Sequence, residues 1–258
     1  MAQTLKEQAY QCIRQKILNG DLPAGKQVSE YSLSKDMGLG RTPVREAIAQ
    51  LEIEGYFERL PRFGTIVKTP TLDDVAELYD LRIALESYAA CQAARVAEPE
   101  QIQRLDRLCT ELELIGESAK DSGMEFLDLP SLRRFRVADM GFHIILIQTT
   151  GNRRIMKIVA DTHVMTTLFS LMDMKQDYES VQSALSYHRG ILEAVKRSEE
   201  DTARLLMINH IRSSKKGSLE HLRSAQRESA AQQTAFPELP PDVVKELDRI
   251  EEGIAAEE

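Results

Sequence analysis

The chain has 258 residues, 42% of them hydrophobic and 29% charged, the balance of an ordinary globular protein with room for one large domain or two modest ones. No apolar run approaches the roughly 20 residues that a membrane helix needs, and the N-terminus lacks the apolar centre of a secretion signal, so a membrane role is not expected. Three cysteines (Cys12, Cys91 and Cys109) with neither ligand nor redox spacing exclude a disulfide scaffold and suit a reducing cytoplasm.

The net charge of −8 divides unevenly. Residues 1–70 carry ten Lys/Arg against eight Asp/Glu, a net of +2, whereas 71–258 carry 23 against 33, a net of −10. A mildly basic module beside an acidic body confines attraction for polyanions to the N-terminal part.

Taken in order, Leu5 to Leu18 shows apolar residues at 5, 9, 13, 17 and 18, a helical stripe ended by Gly20 and Pro23. Ser29-Glu30 opens a second helix reaching Met37, with Leu33 and Met37 inward. After a glycine-bearing turn, Gly38-Leu39-Gly40, a third helix starts near Thr42, with Pro43 in its first turn and Gly55 at its end. Val44, Ile48 and Leu51 make its buried stripe, leaving Arg41, Thr42, Arg45 and Gln50 outward. Arg41 and Arg45 stand four residues apart, on one face of the first turns. Two short helices joined in this way are a helix-turn-helix, whose second helix enters the DNA major groove by its N-terminal end. Tyr56–Leu60 and Thr65–Lys68 read as a hairpin around Pro61-Arg62-Phe63-Gly64, a wing able to bring Arg62 and backbone amides onto phosphate or minor groove. The plain alternative for the two arginines is a solvated helix face.

Pro70-Thr71 forms the hinge, and Thr71 with Asp74 makes a capping-box start for a long amphipathic helix with apolar residues at 75, 78, 81, 85, 89 and 93. Arg82 falls on its inward side, between Leu78 and Leu85. Further helices are expected over 98–118, 130–150, 152–174, 178–197 and 201–227, with no convincing strand after residue 70. The fold class is therefore mainly α, a winged helix-turn-helix over 1–70 followed by an all-helical bundle of six or seven helices over 71–227. Residues 228–258 read as an acidic tail, interrupted by Pro237, Pro240 and Pro241, with a docking arm as the sharper alternative.

Asp139 and His143 are four apart on one helix face that continues through Leu146 and Ile147. His188 sits between Leu185 and Ile191-Leu192, and His210 on the side of Ala203, Leu206 and Met207. Each histidine alone is a satisfied core residue as readily as a ligand. Together, an inward Asp-x3-His and two histidines on separate helices make a polar site in a bundle core that suits a divalent metal.

Residues 5–69 resemble the winged helix of the GntR family, through Leu22-Pro23-Ala24-Gly25, Val28-Ser29-Glu30, Arg41-Thr42-Pro43-Val44-Arg45-Glu46-Ala47, Leu51 and Glu54-Gly55. Residues 72–223 resemble the all-helical (FCD) effector domain of its FadR-type branch, through Leu81-Arg82, Leu85-Glu86, Asp139-x2-Phe142-His143, Gly151-Asn152, His188 with Ile191 and Ala194, and Asp201-x-Ala203 with His210. The resemblance implies operator contacts from Arg41, Thr42 and Arg45 with Gly64 at the wing tip, and a metal held by Asp139, His143, His188 and His210. It implies Arg82 as the clamp for a carboxylate effector, its alternative being an intrahelical pair with Glu86; Arg136, one turn before Asp139, is a second candidate. Tyr31 stands where many relatives carry arginine. His163 and His221 receive no assignment.

The expected function is a regulator of a metabolic operon, in the sense of a repressor, that is not an enzyme. Its expected partners are double-stranded operator DNA, a small organic or sugar acid and a second copy in a homodimer, with Zn, Ni or Mn as the ion. The competing reading is a metal-dependent enzyme with an appended DNA module; it calls for a nearby general base, and none stands out in the sequence, Glu86 being the only other inward carboxylate to propose.

Overall fold

The computed structural model describes residues 3–123, 125–159, 162 and 177–234, the side chains of 18 and 229–234 excepted. They fall into two compact units, Met1–Glu220 and His221–Glu258. The first helix, α1 (Leu5–Leu18), starts on a capping box in which Thr4 and Glu7 satisfy each other's backbone amides. It is followed by β1 (Gln27–Val28), α2 (Glu30–Met37) and α3 (Arg41–Ile53), then β2 (Phe57–Leu60) and β3 (Gly64–Val67). The three strands form one antiparallel sheet in the order β1-β3-β2. Gln27 faces Ile66 and Leu60 faces Gly64. β1 is absent from the sequence reading because two residues are too few to show an alternation. Ala9, Ile13, Val44, Ala47, Leu51 and Val67 lie at the centre of this domain's core and are inaccessible to solvent.

α4 (Leu72–Val96) follows, then α5 (Pro99–Ser122), α6 (Leu129–Thr149), a helical stretch over 153–159, α7 (Tyr178–Lys196) and α8 (Glu200–Thr234). The rest of the helix expected over 152–174 lies outside the described residues, and α8 runs past the expected end near 227. Among the described residues beyond 70, extended pairing is limited to one bridge, Phe126 to Asp177. α5 packs against α6 and α7, and α4 against both. Gly116 lets α5 come close to α7: a Cβ there would stand 2.8 Å from a Leu185 methyl.

One stripe on α4 differs from the sequence reading. Val75, Tyr79, Arg82, Glu86 and Ala90 face inward, while Leu81, expected inside, is 39% exposed. The buried face follows the 75-79-82-86 spacing, which turns 81, 84 and 88 outward.

α4 begins on a capping box just after β3. Thr71 Oγ1 accepts from the Asp74 amide at 3.0 Å, Asp74 Oδ2 accepts from the Thr71 amide at 2.9 Å, and Lys68 Nζ reaches Asp74 Oδ1 at 2.6 Å. Thr71→Ala removes one half of this box and is expected to destabilise the chain by about 1 kcal/mol. Urea unfolding followed by circular dichroism measures it, as a lower midpoint with an unchanged slope.

Candidate DNA interface and candidate metal centre

α2 ends on Gly38, whose φ of 63° is left-handed, and this turns the chain into α3 within three residues. α3 then buries Val44, Ala47, Ile48 and Leu51 and leaves Arg41, Thr42 and Arg45 exposed, as expected. Gln50, expected outward, is half-buried and donates to Glu54 Oε1 at 2.9 Å. Glu54 is also the acceptor of the Tyr10 hydroxyl, so Gln50 belongs to a polar seam between helices.

Both arginines share a partner that the sequence did not reveal. Arg45 Nε lies 3.0 and 3.2 Å from the two oxygens of Glu30, and an Arg41 nitrogen lies 4.0 Å from one of them. The side chains of both arginines are 62% exposed, so water screens these pairs, each worth about 0–1 kcal/mol, and a phosphate or guanine edge can displace them. At the wing, Arg62 is exposed with a φ of 70°, and Gly64, with a φ of 85°, closes the hairpin. Gln27 Nε2 donates to the Phe63 carbonyl at 2.5 Å and ties the wing tip to β1. Tyr31 and Phe63 are 65% and 70% exposed, two further aromatic surfaces on this domain.

Inside the bundle, α6, α7 and α8 bring Asp139, His143, His188 and His210 together. Each offers one ligand atom, and these four atoms lie within 4.8 Å of one another. His143 Nε2 is 3.2 Å from His210 Nε2 and 3.4 Å from His188 Nε2; Asp139 Oδ1 is 3.4 Å from His188 Nε2 and 4.0 Å from His143 Nε2. Ligands held roughly 2.1 Å from one ion stand about 3.4 Å apart in a tetrahedron, or about 3.0 and 4.2 Å apart in an octahedron. These four spacings fall in that range, and the set as a whole spans no more than 4.8 Å.

The outer nitrogens strengthen the case. Nδ1 of His143 lies 2.5 Å from Glu86 Oε2, and His188 is hydrogen-bonded to the Ala184 carbonyl. The Glu86 carboxylate accepts, so His143 Nδ1 carries the proton and its Nε2 turns a lone pair inward. The three histidines are at most 3% exposed, and the cluster can hold a metal ion.

Burial pushes the His188 imidazole down from the ordinary 6.5 to about 4, against the pull of Asp139. Burial, with His188 and His143 beside it, holds His210 well below the ordinary range as well. An unfolded chain takes up protons near pH 6.5 where these folded sites do not, so stability present above pH 6.5 is lost as pH falls toward 4. The expected slope for metal-stripped protein is up to about 1.4 kcal/mol per pH unit for each histidine, read as a falling melting temperature.

Arg82, proposed from resemblance as an effector clamp, is 6% exposed and donates from Nε to Glu86 Oε1 at 2.7 Å, the intrahelical pair named as its alternative. Burial works against the guanidinium's charge, but Glu86 outweighs it and keeps Arg82 protonated. Its guanidinium carbon also lies 5.3 Å from the Tyr79 ring centre. Arg136 is half-buried on α6, one turn before Asp139. Glu86, the candidate general base of the enzyme reading, is engaged by both Arg82 and His143. His163 lies outside the described residues, and His221 is a half-buried residue of the second unit. Among the described residues, no helix is long and apolar enough to cross a membrane.

Comparison with known proteins agrees with this fold. Residues 5–67 match the bacterial regulatory proteins of the gntR family, and residues 77–213 match the FCD domain. The chain is 27% identical over 203 residues to the uncharacterized HTH-type transcriptional regulator YdhC of Bacillus subtilis (strain 168), covering 79% of this chain and 86% of that protein. It is also 27% identical over 193 residues to the gluconate operon transcriptional repressor of Bacillus licheniformis, covering 73% of this chain and 74% of the repressor. The solved structure of E. coli McbR/YncC shares the fold at a TM-score of 0.68 and 15% identity, covering 85% of this chain and 99% of that one. The family and these relatives are transcriptional regulators rather than enzymes. With a gntR-family match at one end and an FCD-domain match over more than half of its length, the chain belongs to the GntR family of bacterial transcriptional regulators, with an FCD domain as its second part.

Proposed function

We propose that the protein is a metal-containing, carboxylate-responsive repressor of a metabolic operon, divided into a DNA-binding domain over 1–70, an effector and dimerisation domain over 71–227 and an acidic tail over 228–258. The observation that carries this reading is the convergence of Asp139 with His143, His188 and His210 in the core of a helical bundle that follows a winged helix in the chain. Asp139, His143, His188 and His210 hold a divalent ion, Zn, Ni or Mn. Bound there, the ion supplies a Lewis-acidic anchor for an effector oxygen. Arg82 and Arg136 clamp the carboxylate from the protein side. The named role of the gluconate operon repressor supports a sugar or organic acid as the effector class.

Arg41, Thr42 and Arg45 enter the major groove, while Arg62 and the backbone at Gly64 meet phosphate or minor groove. Two copies related by a two-fold axis read a near-palindromic operator. Effector binding shifts the spacing of the two winged helices and so lowers operator affinity.

Native mass spectrometry of protein purified without chelator tests the site directly. One divalent ion per chain is expected, together with a carried-over acid that lowers affinity for a duplex selected from a random pool. Full operator affinity in metal-free protein that also ignores every acid offered sinks the sensing mechanism.

A further inference from the structure

Glu86 is inaccessible to solvent, and its two oxygens face different partners: Oε1 accepts from Arg82 Nε at 2.7 Å, and Oε2 lies 2.5 Å from His143 Nδ1. One carboxylate thus serves both the proposed effector clamp and an imidazole whose other nitrogen is turned into the metal cluster. Arg82 and Glu86 stand one turn apart on α4, whereas His143 comes from α6, so the bridge joins two helices. We propose that Glu86 is a positioning residue that couples Arg82 to His143, so that a carboxylate effector and the metal bind with positive cooperativity. The inference rests on the metal-site reading above and adds a regulation to it.

The physical reason is competition for one negative charge. A guanidinium beside Oε1 draws electron density that Oε2 would otherwise offer to the His143 N–H. When an effector carboxylate engages the guanidinium, its hold on Glu86 weakens, the Glu86–His143 bond strengthens, and Nε2 becomes a better donor. Binding linkage is reciprocal, so whatever strengthens the His143 bond also loosens Arg82 toward an incoming carboxylate, by the same factor. No helix movement is required.

The alternative route from Arg82 to the metal is direct charge repulsion, which does not pass through Glu86. The two routes differ in additivity. Zn2+ dissociation constants of the full chain, measured by competition with a chromophoric chelator, are compared for wild type, R82Q, E86Q and R82Q/E86Q. Coupling predicts that R82Q tightens Zn2+ at least about fivefold, that E86Q weakens it about 10- to 100-fold, and that R82Q has no tightening effect once Glu86 is gone. Equal tightening in both backgrounds overturns the proposal. E86Q alone leaves Arg82 buried without its counter-charge, so a second arm uses variants with no such charge. Saturating acetate is expected to tighten Zn2+ binding several-fold more in wild type than in R82Q or the double variant, where only direct coordination of acetate to the ion remains. Equal tightening in R82Q, or none in wild type, overturns the coupling. A wild-type chain that binds no Zn2+ sinks the metal reading itself, whereas Zn2+ binding with additive variants sinks the coupling alone.

Discussion

The Arg41→Ala/Arg45→Ala double variant is expected to bind operator duplex about 10³-fold more weakly than wild type, each lost bidentate base contact costing about 1–3 kcal/mol. Thermal unfolding should barely change, because both side chains are 62% exposed and their one shared acidic partner is a screened surface residue. Fluorescence anisotropy against a duplex selected from a random pool measures the affinity. The salt dependence should also become shallower, by about one unit of slope for each phosphate contact removed. An unchanged affinity with normal folding would remove α3 from the DNA contact altogether. Glu30→Gln serves as a control: it frees both arginines and should leave binding at least as tight as in wild type.

His188→Ala is the second large effect. It deletes one of four converging ligand atoms, from a ring lying edge-on 4.5 Å from Phe142 and 4.6 Å from His210 between ring centres. Zn2+ affinity should fall at least about 100-fold, since disturbing even the residues that support metal ligands costs 10- to 100-fold. A bound ion at 100 times its dissociation constant stabilises a fold by about 2.7 kcal/mol, so the wild type's gain in melting temperature on adding Zn2+ should vanish in the variant. Isothermal titration calorimetry and differential scanning calorimetry read the two quantities separately. Retention of stoichiometric, tight Zn2+ by His188→Ala would mean that the histidines are merely polar core.

The sequence exposed local features well and long-range partners poorly, for a simple reason. The helix-turn-helix announces itself through turn residues and caps, which act over three or four positions: Ser29, Gly38, Pro43 and Gly55 mark where helices begin and end. Asp139 and His143 share a face by helical spacing alone, and apolar neighbours turned His188 and His210 inward. What those neighbours could not tell was which side chain from another helix meets each outer nitrogen. Glu86 was visible as the i+4 partner of Arg82, but its bond to His143 depends on how α4 crosses α6. Glu30 escaped for the same reason, since its tie to Arg45 spans a turn whose angle no residue spacing reports. Leu81 was misplaced because an apolar residue on a long helix fits two neighbouring stripes, and only packing chooses between them.

The short link between β3 and α4 has a mechanical consequence. The Lys68 amide is bonded to Tyr56 at the base of the wing while its ammonium grips Asp74 in the first turn of α4. Arg82 and Glu86 ride on that same helix, with Arg82 about 15 Å along its axis from Leu72. Lys68 thus ties the first turn of the helix that carries Arg82 and Glu86 directly to the wing's root. Lys68→Ala would remove that tie while leaving Arg82 and Glu86 in place.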